Sequence, residues 1–294
     1  MKICNIVVDG GIHPALMTDR GVIDLPAAGC GLSLGSIISG AGRAELEKLC
    51  ADSSLPRVEN PVFANITESG AKLLCVGLNY KAHADRVSMG KFDVPVLFSK
   101  FGDALVPSGA NIELPQWETS YDYEAELVIV MGRKCWGVDT ADAMSYVFGY
   151  TCGNDLSCRE AQKRTSQWLI GKTMPGFGPC GPCIATAEAL DPFAGVRIRS
   201  FVNGELRQDG TSADMIFNCA EIVAYASKYV CLEPGDLIFT GTPSGVALEQ
   251  RKDKRRWLEK GDRVDIEIEG KYSLQGTTQG RYLTGGVPPV RFSM

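Results

Sequence analysis

The chain has 294 residues, 45% of them hydrophobic and 22% charged, with a formal net charge of −5. That is enough apolar material for one large core plus a smaller unit, while an acidic chain without a basic block lacks the phosphate-neutralising surface of a nucleic-acid binder. The longest aliphatic run, Leu127–Met131, is far short of the ~20 apolar residues of a membrane span, so neither nucleic acid nor membrane is an expected partner.

Residues 1–70 read as a small unit of their own. Ile3, Ile6, Val7 and Val8 predict a strand, Asp9-Gly10-Gly11 a turn, and Val22–Leu25 a second strand. Gly29–Gly35 is glycine-rich but lacks the spacing of a phosphate loop. Ala44–Leu49 predicts a short helix, and Pro56–Thr67 a linker. A larger unit follows, residues 71–294. Leu73–Gly77, Val94–Lys100, Ala125–Met131 and Val147–Gly153 read as strands, with a helix at Ala141–Val147 capped by Thr140. Val196, Ile198, Ser200 and Val202 alternate up to the hairpin turn Asn203-Gly204. Met215, Cys219, Ile222, Ala226 and Tyr229 recur at helical spacing, predicting a helix over Ala213–Tyr229. Leu237–Thr240 and the alternating Val264, Ile266 and Ile268 add strands. Many strands, few helices and no βαβ rhythm predict a mixed α+β fold on a curled sheet.

Two residue types narrow the chemistry. There are only two histidines, His13 and His83, which nearly excludes a histidine-rich zinc site. Eleven cysteines, with no long apolar stretch near Met1, predict reduced thiols in a cytoplasmic setting, and the lone Cys180-Gly181-Pro182-Cys183 reads as a turn that cysteines happen to flank.

Carboxylates are the positive signal. On a strand, Glu124 and Glu126 share the face of Val128 and Val130, while Ala125, Leu127, Ile129 and Met131 form the other face. Two buried acids on an apolar strand need a compensating cation, either basic side chains or a metal. Asp155, at the end of the strand Val147–Gly153, supplies a third acid. Three carboxylates with no histidine nearby make a hard oxygen site suited to Mg²⁺, Mn²⁺ or Ca²⁺.

Several ordered stretches resemble the fumarylacetoacetate hydrolase family: Val76-Gly77-Leu78-Asn79-Tyr80-Lys81-Ala82-His83, Asp122–Leu127, Gly153–Gln162, Gly171-Lys172, Gly181-Pro182, Val202–Glu205 and Gly235–Gly245. The resemblance covers roughly residues 72–270, and the first 70 residues resemble the family's small leading domain. It implies a mixed β-sandwich roll with a small N-terminal domain, a homodimer, and Mg²⁺ or Mn²⁺ bound by Glu124, Glu126 and Asp155. It also implies Lys172, Gln162 and His83 as catalytic residues, with Tyr80, Arg159 and Thr242 contacting a 2-oxo or 2,4-dioxo acid. Hydrolytic members often carry a glutamate three residues after the histidine. Here Arg86 stands there, and Asp85 is the adjacent acid that would orient His83. Met174-Pro175 likewise replaces the Phe-Asp that many members carry after the lysine.

The main expectation is therefore a metal-dependent hydrolase that cleaves a C–C bond of a 2,4-dioxo acid. The alternatives are a decarboxylase or isomerase of an oxaloacetate-like acid on the same site, or a binding protein that has kept the fold. Ala84–Val94 is the expected lid and specificity segment, and the tail around Gly285–Pro289 carries no assigned role.

Overall fold

A computed structural model describes residues 1–82, 92–269 and 280–281. His83, Asp85, Arg86, most of the expected lid and the C-terminal tail lie outside the described residues.

The first part of the chain forms β1 (Lys2–Val8), β2 (Gly11–Thr18) and β3 (Gly21–Asp24), then α1 (Leu34–Ile38) and α2 (Arg43–Ala51). There follow β4 (Leu73–Gly77), β5 (Val96–Lys100), β6 (Leu105–Pro107), β7 (Tyr121–Asp122), β8 (Ala125–Met131), α3 (Thr140–Ala143) and β9 (Val147–Asn154). Next come β10 (Ser157–Cys158), α4 (Arg159–Gln162), α5 (Leu169–Lys172), β11 (Gly178–Thr186), β12 (Arg197–Val202) and β13 (Glu205–Thr211). The last elements are α6 (Cys219–Ser227), β14 (Leu237–Phe239), β15 (Arg263–Glu269) and β16 (Gly280–Arg281).

The fold is mixed α+β on one large sheet, in the order β3-β2-β1-β11-β9-β8-β14-β4-β5, with β6 beside β11. Its pairs are antiparallel apart from β14–β4 and β11–β6. A smaller sheet runs β13-β12-β15-β16, and β7 pairs with β10. The strands of residues 1–70 lie in the large sheet, because β1 pairs with β11 at Lys2↔Ala185, Ile3↔Ile184 and Cys4↔Cys183. The segment expected as a linker packs against them: Val58 bridges Val22, and Phe63 bridges Ile6.

All seven residues of β8 are buried, and its alternation divides the core in two. Ala125, Leu127, Ile129 and Met131 join a cluster containing α6 and the inward face of β12 and β15. Val128 and Val130 join another, with Leu34, Ile37, Ile38 and Leu46 of α1 and α2. Glu126 shares the second face, so a carboxylate enters the core at one end of the central strand.

Other local expectations change. Cys180–Cys183 is not a turn but part of the buried strand β11, whose register against β9 shifts between Gly181 and Ala185. A bulge absorbs the Gly-Pro pair, so turn residues do not end the strand here. Burial pushes the Cys183 thiol up to about 12, far from a reactive thiolate. The helix expected over Ala213–Tyr229 starts only at Cys219. There Asn218 and Glu221 make a reciprocal capping box, each side chain accepting from the other's backbone N–H.

Candidate functional site

The site forms where β8 and β9 meet. Ala125 lies opposite Asn154 and Glu126 opposite Gly153 in the antiparallel ladder. Just beyond it, Glu124 N–H donates to Asn154 Oδ1 and Asp155 N–H to the Glu124 carbonyl, both at 3.0 Å. This staple sets Asp155 beside Glu124. Ligand oxygens of Glu124, Glu126 and Asp155 lie within 4.8 Å of one another, and all three residues are buried.

Basic groups converge on two of these acids. Lys172 Nζ donates to Glu124 Oε2 at 2.6 Å and to Asp155 Oδ2 at 2.7 Å. Burial pulls the Lys172 pKa down, but Asp155 and Glu124 outweigh it, so the net shift is upward and the ammonium keeps its charge. Arg159 donates from Nη2 to Glu124 Oε1 (2.6 Å), from Nε to Asp122 Oδ2 (2.8 Å) and from Nη1 to Gln162 Oε1 (3.0 Å). Asp122 in turn accepts from the N–H groups of Ala247 and Leu248.

Glu126 differs. It accepts from Gly241 N–H at 2.7 Å and forms no ion pair among the described residues. Burial, reinforced by Asp155 and Glu124, pushes its pKa well above the ordinary carboxylate range. A buried acid that must otherwise take a proton, next to two more oxygen donors, suits a hard divalent cation. The residues present therefore fit a hard divalent cation.

A cavity of about 600 Å³ opens over these acids. Glu124, Glu126, Asp155, Arg159, Gln162, Lys172 and Thr242 line it, so seven of the expected site residues meet there. Thr242 is also structural: its hydroxyl donates to the Ala125 carbonyl and accepts from Gln208 Nε2. Tyr80 does not line the cavity. It is buried, and its hydroxyl has no hydrogen-bond partner among the described residues. Phe98 and Trp168 form an apolar wall, edge to face at 5.5 Å, with Lys172 Nζ over the Phe98 ring. Gly77 admits this wall, since a Cβ there would stand 2.3 Å from the Trp168 ring.

Sequence reasoning missed Lys100. This residue ends β5 with a wholly buried side chain whose Nζ pairs with Asp155 Oδ1 at 2.6 Å. It also donates to the carbonyls of Leu156, Lys172 and Phe177. The only advance signal was a lysine closing the apolar run Val96-Leu97-Phe98.

The family model described as fumarylacetoacetate (FAA) hydrolase C-terminal matches residues 72–279, and the chain belongs to the fumarylacetoacetate hydrolase family. It is 41% identical to the fumarylacetoacetate hydrolase domain-containing protein 2 homolog of Dictyostelium discoideum, over 74% of this chain and 74% of that protein. It is 38% identical to the mitochondrial oxaloacetate tautomerase FAHD2B of Bos taurus, over 73% of this chain and 68% of that protein. Among solved structures, the fumarylacetoacetate hydrolase of Exiguobacterium antarcticum superposes with a TM-score of 0.82 at 31% identity, covering 96% of this chain and 99% of that one. A specific C–C hydrolase is thus less well supported than an enzyme of the oxaloacetate-tautomerase kind.

Proposed function

We propose that this chain is a divalent-metal-dependent tautomerase that interconverts the keto and enol forms of a short 2-oxo acid of the oxaloacetate type. The observation that carries the reading is the buried Glu124, Glu126 and Asp155 cluster at the base of the cavity, with Lys172 and Arg159 fixed on it. The similarity to a mitochondrial oxaloacetate tautomerase, 38% identical over 73% of this chain, favours isomerisation over hydrolysis. Arg86, at the position where hydrolytic members often carry a glutamate, points the same way. Tautomerisation needs no oriented water, whereas hydrolysis does.

A divalent ion held by the three carboxylates would supply Lewis-acid polarisation of the substrate's 2-oxo group. The chain's own groups do the rest. Lys172, kept protonated by its two carboxylate partners, places positive charge where an oxygen gains negative charge as the C3 proton leaves. Gln162 has its carbonyl oxygen engaged by Arg159, which leaves its amide N–H₂ to donate to a substrate oxygen. The reading assigns removal and return of the C3 proton to His83.

The test follows the enol absorbance of oxaloacetate in EDTA-treated protein with and without added Mg²⁺ or Mn²⁺, alongside acetylpyruvate as a hydrolase substrate. Metal-dependent acceleration of enol interconversion without acetate release is the expected result. Acetate and pyruvate formed from acetylpyruvate faster than oxaloacetate tautomerises would overturn it in favour of C–C hydrolysis. His83→Ala should slow tautomerisation on the order of 10²- to 10⁴-fold with metal affinity retained.

A further inference from the structure

The cations at the base of the cavity are already committed. Each nitrogen of Arg159 is engaged, by Asp122, Glu124 or Gln162, and Lys172 is bound to Glu124 and Asp155. Neither is free to neutralise a second carboxylate at the far end of a substrate. Lys163 is different. It follows α4 directly, lines the same cavity and has no carboxylate partner among the described residues. Thr165 and Ser166, close to it in sequence and exposed like it, line the cavity too, so an ammonium and two hydroxyls stand on its open wall. Glu249, an acid that also lines the cavity, accepts from Gly245 N–H at 2.9 Å.

Electrostatics agree with that geometry. Although Lys163 is exposed, desolvation at the cavity wall pulls its pKa down, and the positive charges of Arg159 and Arg255 add to it, with Asp122 opposing. A lysine held among cations without a paired acid gains from an incoming anion.

We propose that Lys163 is a specificity-determining residue that binds the distal carboxylate of the substrate and so selects dicarboxylic over monocarboxylic 2-oxo acids. The assignment rests on the 2-oxo acid reading above and names the substrate class within it. The head of the molecule, its 2-oxo carboxylate, occupies the three-acid end. The tail carboxylate reaches Lys163 from the same cavity.

Calorimetry on the Mn²⁺-loaded protein separates the two ends without turnover. The probes are pyruvate, which has the head alone, and 3,3-difluoro-oxaloacetate, which has both carboxylates and cannot enolise. Lys163→Gln should weaken the dicarboxylate about tenfold and leave pyruvate within about twofold, as expected for one charge-assisted contact at a solvent-open rim. Lys163→Arg should keep most of the discrimination. If wild type and Lys163→Gln bind the dicarboxylate equally, or if Lys163→Gln weakens both ligands alike, Lys163 is not the tail receptor. If wild type binds neither ligand, the 2-oxo acid reading itself fails, and the Lys163 assignment with it.

Discussion

At the scale of single residues, the site is an arrangement of charges that cannot be thinned without cost. Lys100 shows this most directly. Its ammonium is wholly buried and meets one carboxylate and three carbonyls from segments far apart in sequence. Lys100→Met keeps the stem and removes every one of these donors, leaving the Asp155 carboxylate short of a partner in the interior. Breaking a buried pair from one side costs roughly 3–5 kcal/mol. We expect a correspondingly lower urea midpoint for Lys100→Met, and an unchanged midpoint would remove Lys100 from its structural role. Glu126 gives the opposite sign. Its folded pKa is raised, so in metal-free protein it favours folding in its protonated form. That contribution is complete below about pH 4.3, the ordinary value for glutamate, and is lost as pH rises through the raised folded value. A divalent ion competes with that proton. In EDTA the melting temperature of wild type should therefore fall with rising pH relative to Glu126→Gln. Added Mn²⁺ should restore stability to wild type, and Glu126→Gln should not respond. The three acids were legible in the sequence because carboxylates interrupting an apolar strand demand compensation. Lys100 was not, because a lysine at a strand end usually reaches solvent and its partners here are backbone carbonyls that no periodicity reveals.

At the scale of elements, two short helices set the active groups. α4 carries Arg159 and Gln162, and α5 ends on Lys172. They touch at Gly171, where a Cβ would stand 2.4 Å from the Gln162 backbone nitrogen and 2.6 Å from its Cα. Gly171→Ala cannot be absorbed by a side-chain rotation, because the obstacle is backbone. The helices must separate, carrying Lys172 away from Glu124 and Asp155. A misplacement of about 1 Å can cost on the order of 10²-fold in rate. We expect that loss in the proposed tautomerase turnover with the fold retained, checked by steady-state kinetics beside circular dichroism. Wild-type turnover would show that the contact is permissive. Regular elements were read well where pattern and packing agree: Ala125–Met131 and Leu73–Gly77 are strands at the expected residues. Reading failed where local chemistry competes with pattern. The Asn218–Glu221 capping box shortens the expected long helix from its start. The strand β9 begins at Val147, inside the helix expected to run to that residue, and a 3₁₀ turn over Met144–Tyr146 takes up the change.

At the scale of the whole molecule, the question is whether the first 70 residues are an appendage or part of the scaffold that holds the site. Their strand and turn pattern reads as a separate unit, but their strands are not paired only among themselves. β1 adds to β11 through three consecutive positions, and β11 pairs in turn with β9, the strand whose end delivers Asp155. The apolar cluster on that face of the large sheet draws more than half its members from this segment, among them Ile3, Leu16, Ile23, Leu34, Ile37 and Leu46. Their partners Val128, Val130, Cys180, Ile184 and Phe239 lie on strands of the larger part and are fully buried. Removing residues 1–70 would expose both this apolar face and the hydrogen-bonding edge of β11, a combination that favours edge-to-edge aggregation. A protein of residues 71–294 should therefore be recovered largely as aggregate, even though it retains every proposed metal ligand. Size-exclusion chromatography of the truncated and full-length chains, expressed side by side, decides the matter. A monodisperse truncated protein that still binds Mn²⁺ would show that the catalytic scaffold folds without its N-terminal strands, and that β1 merely decorates an edge that is stable alone.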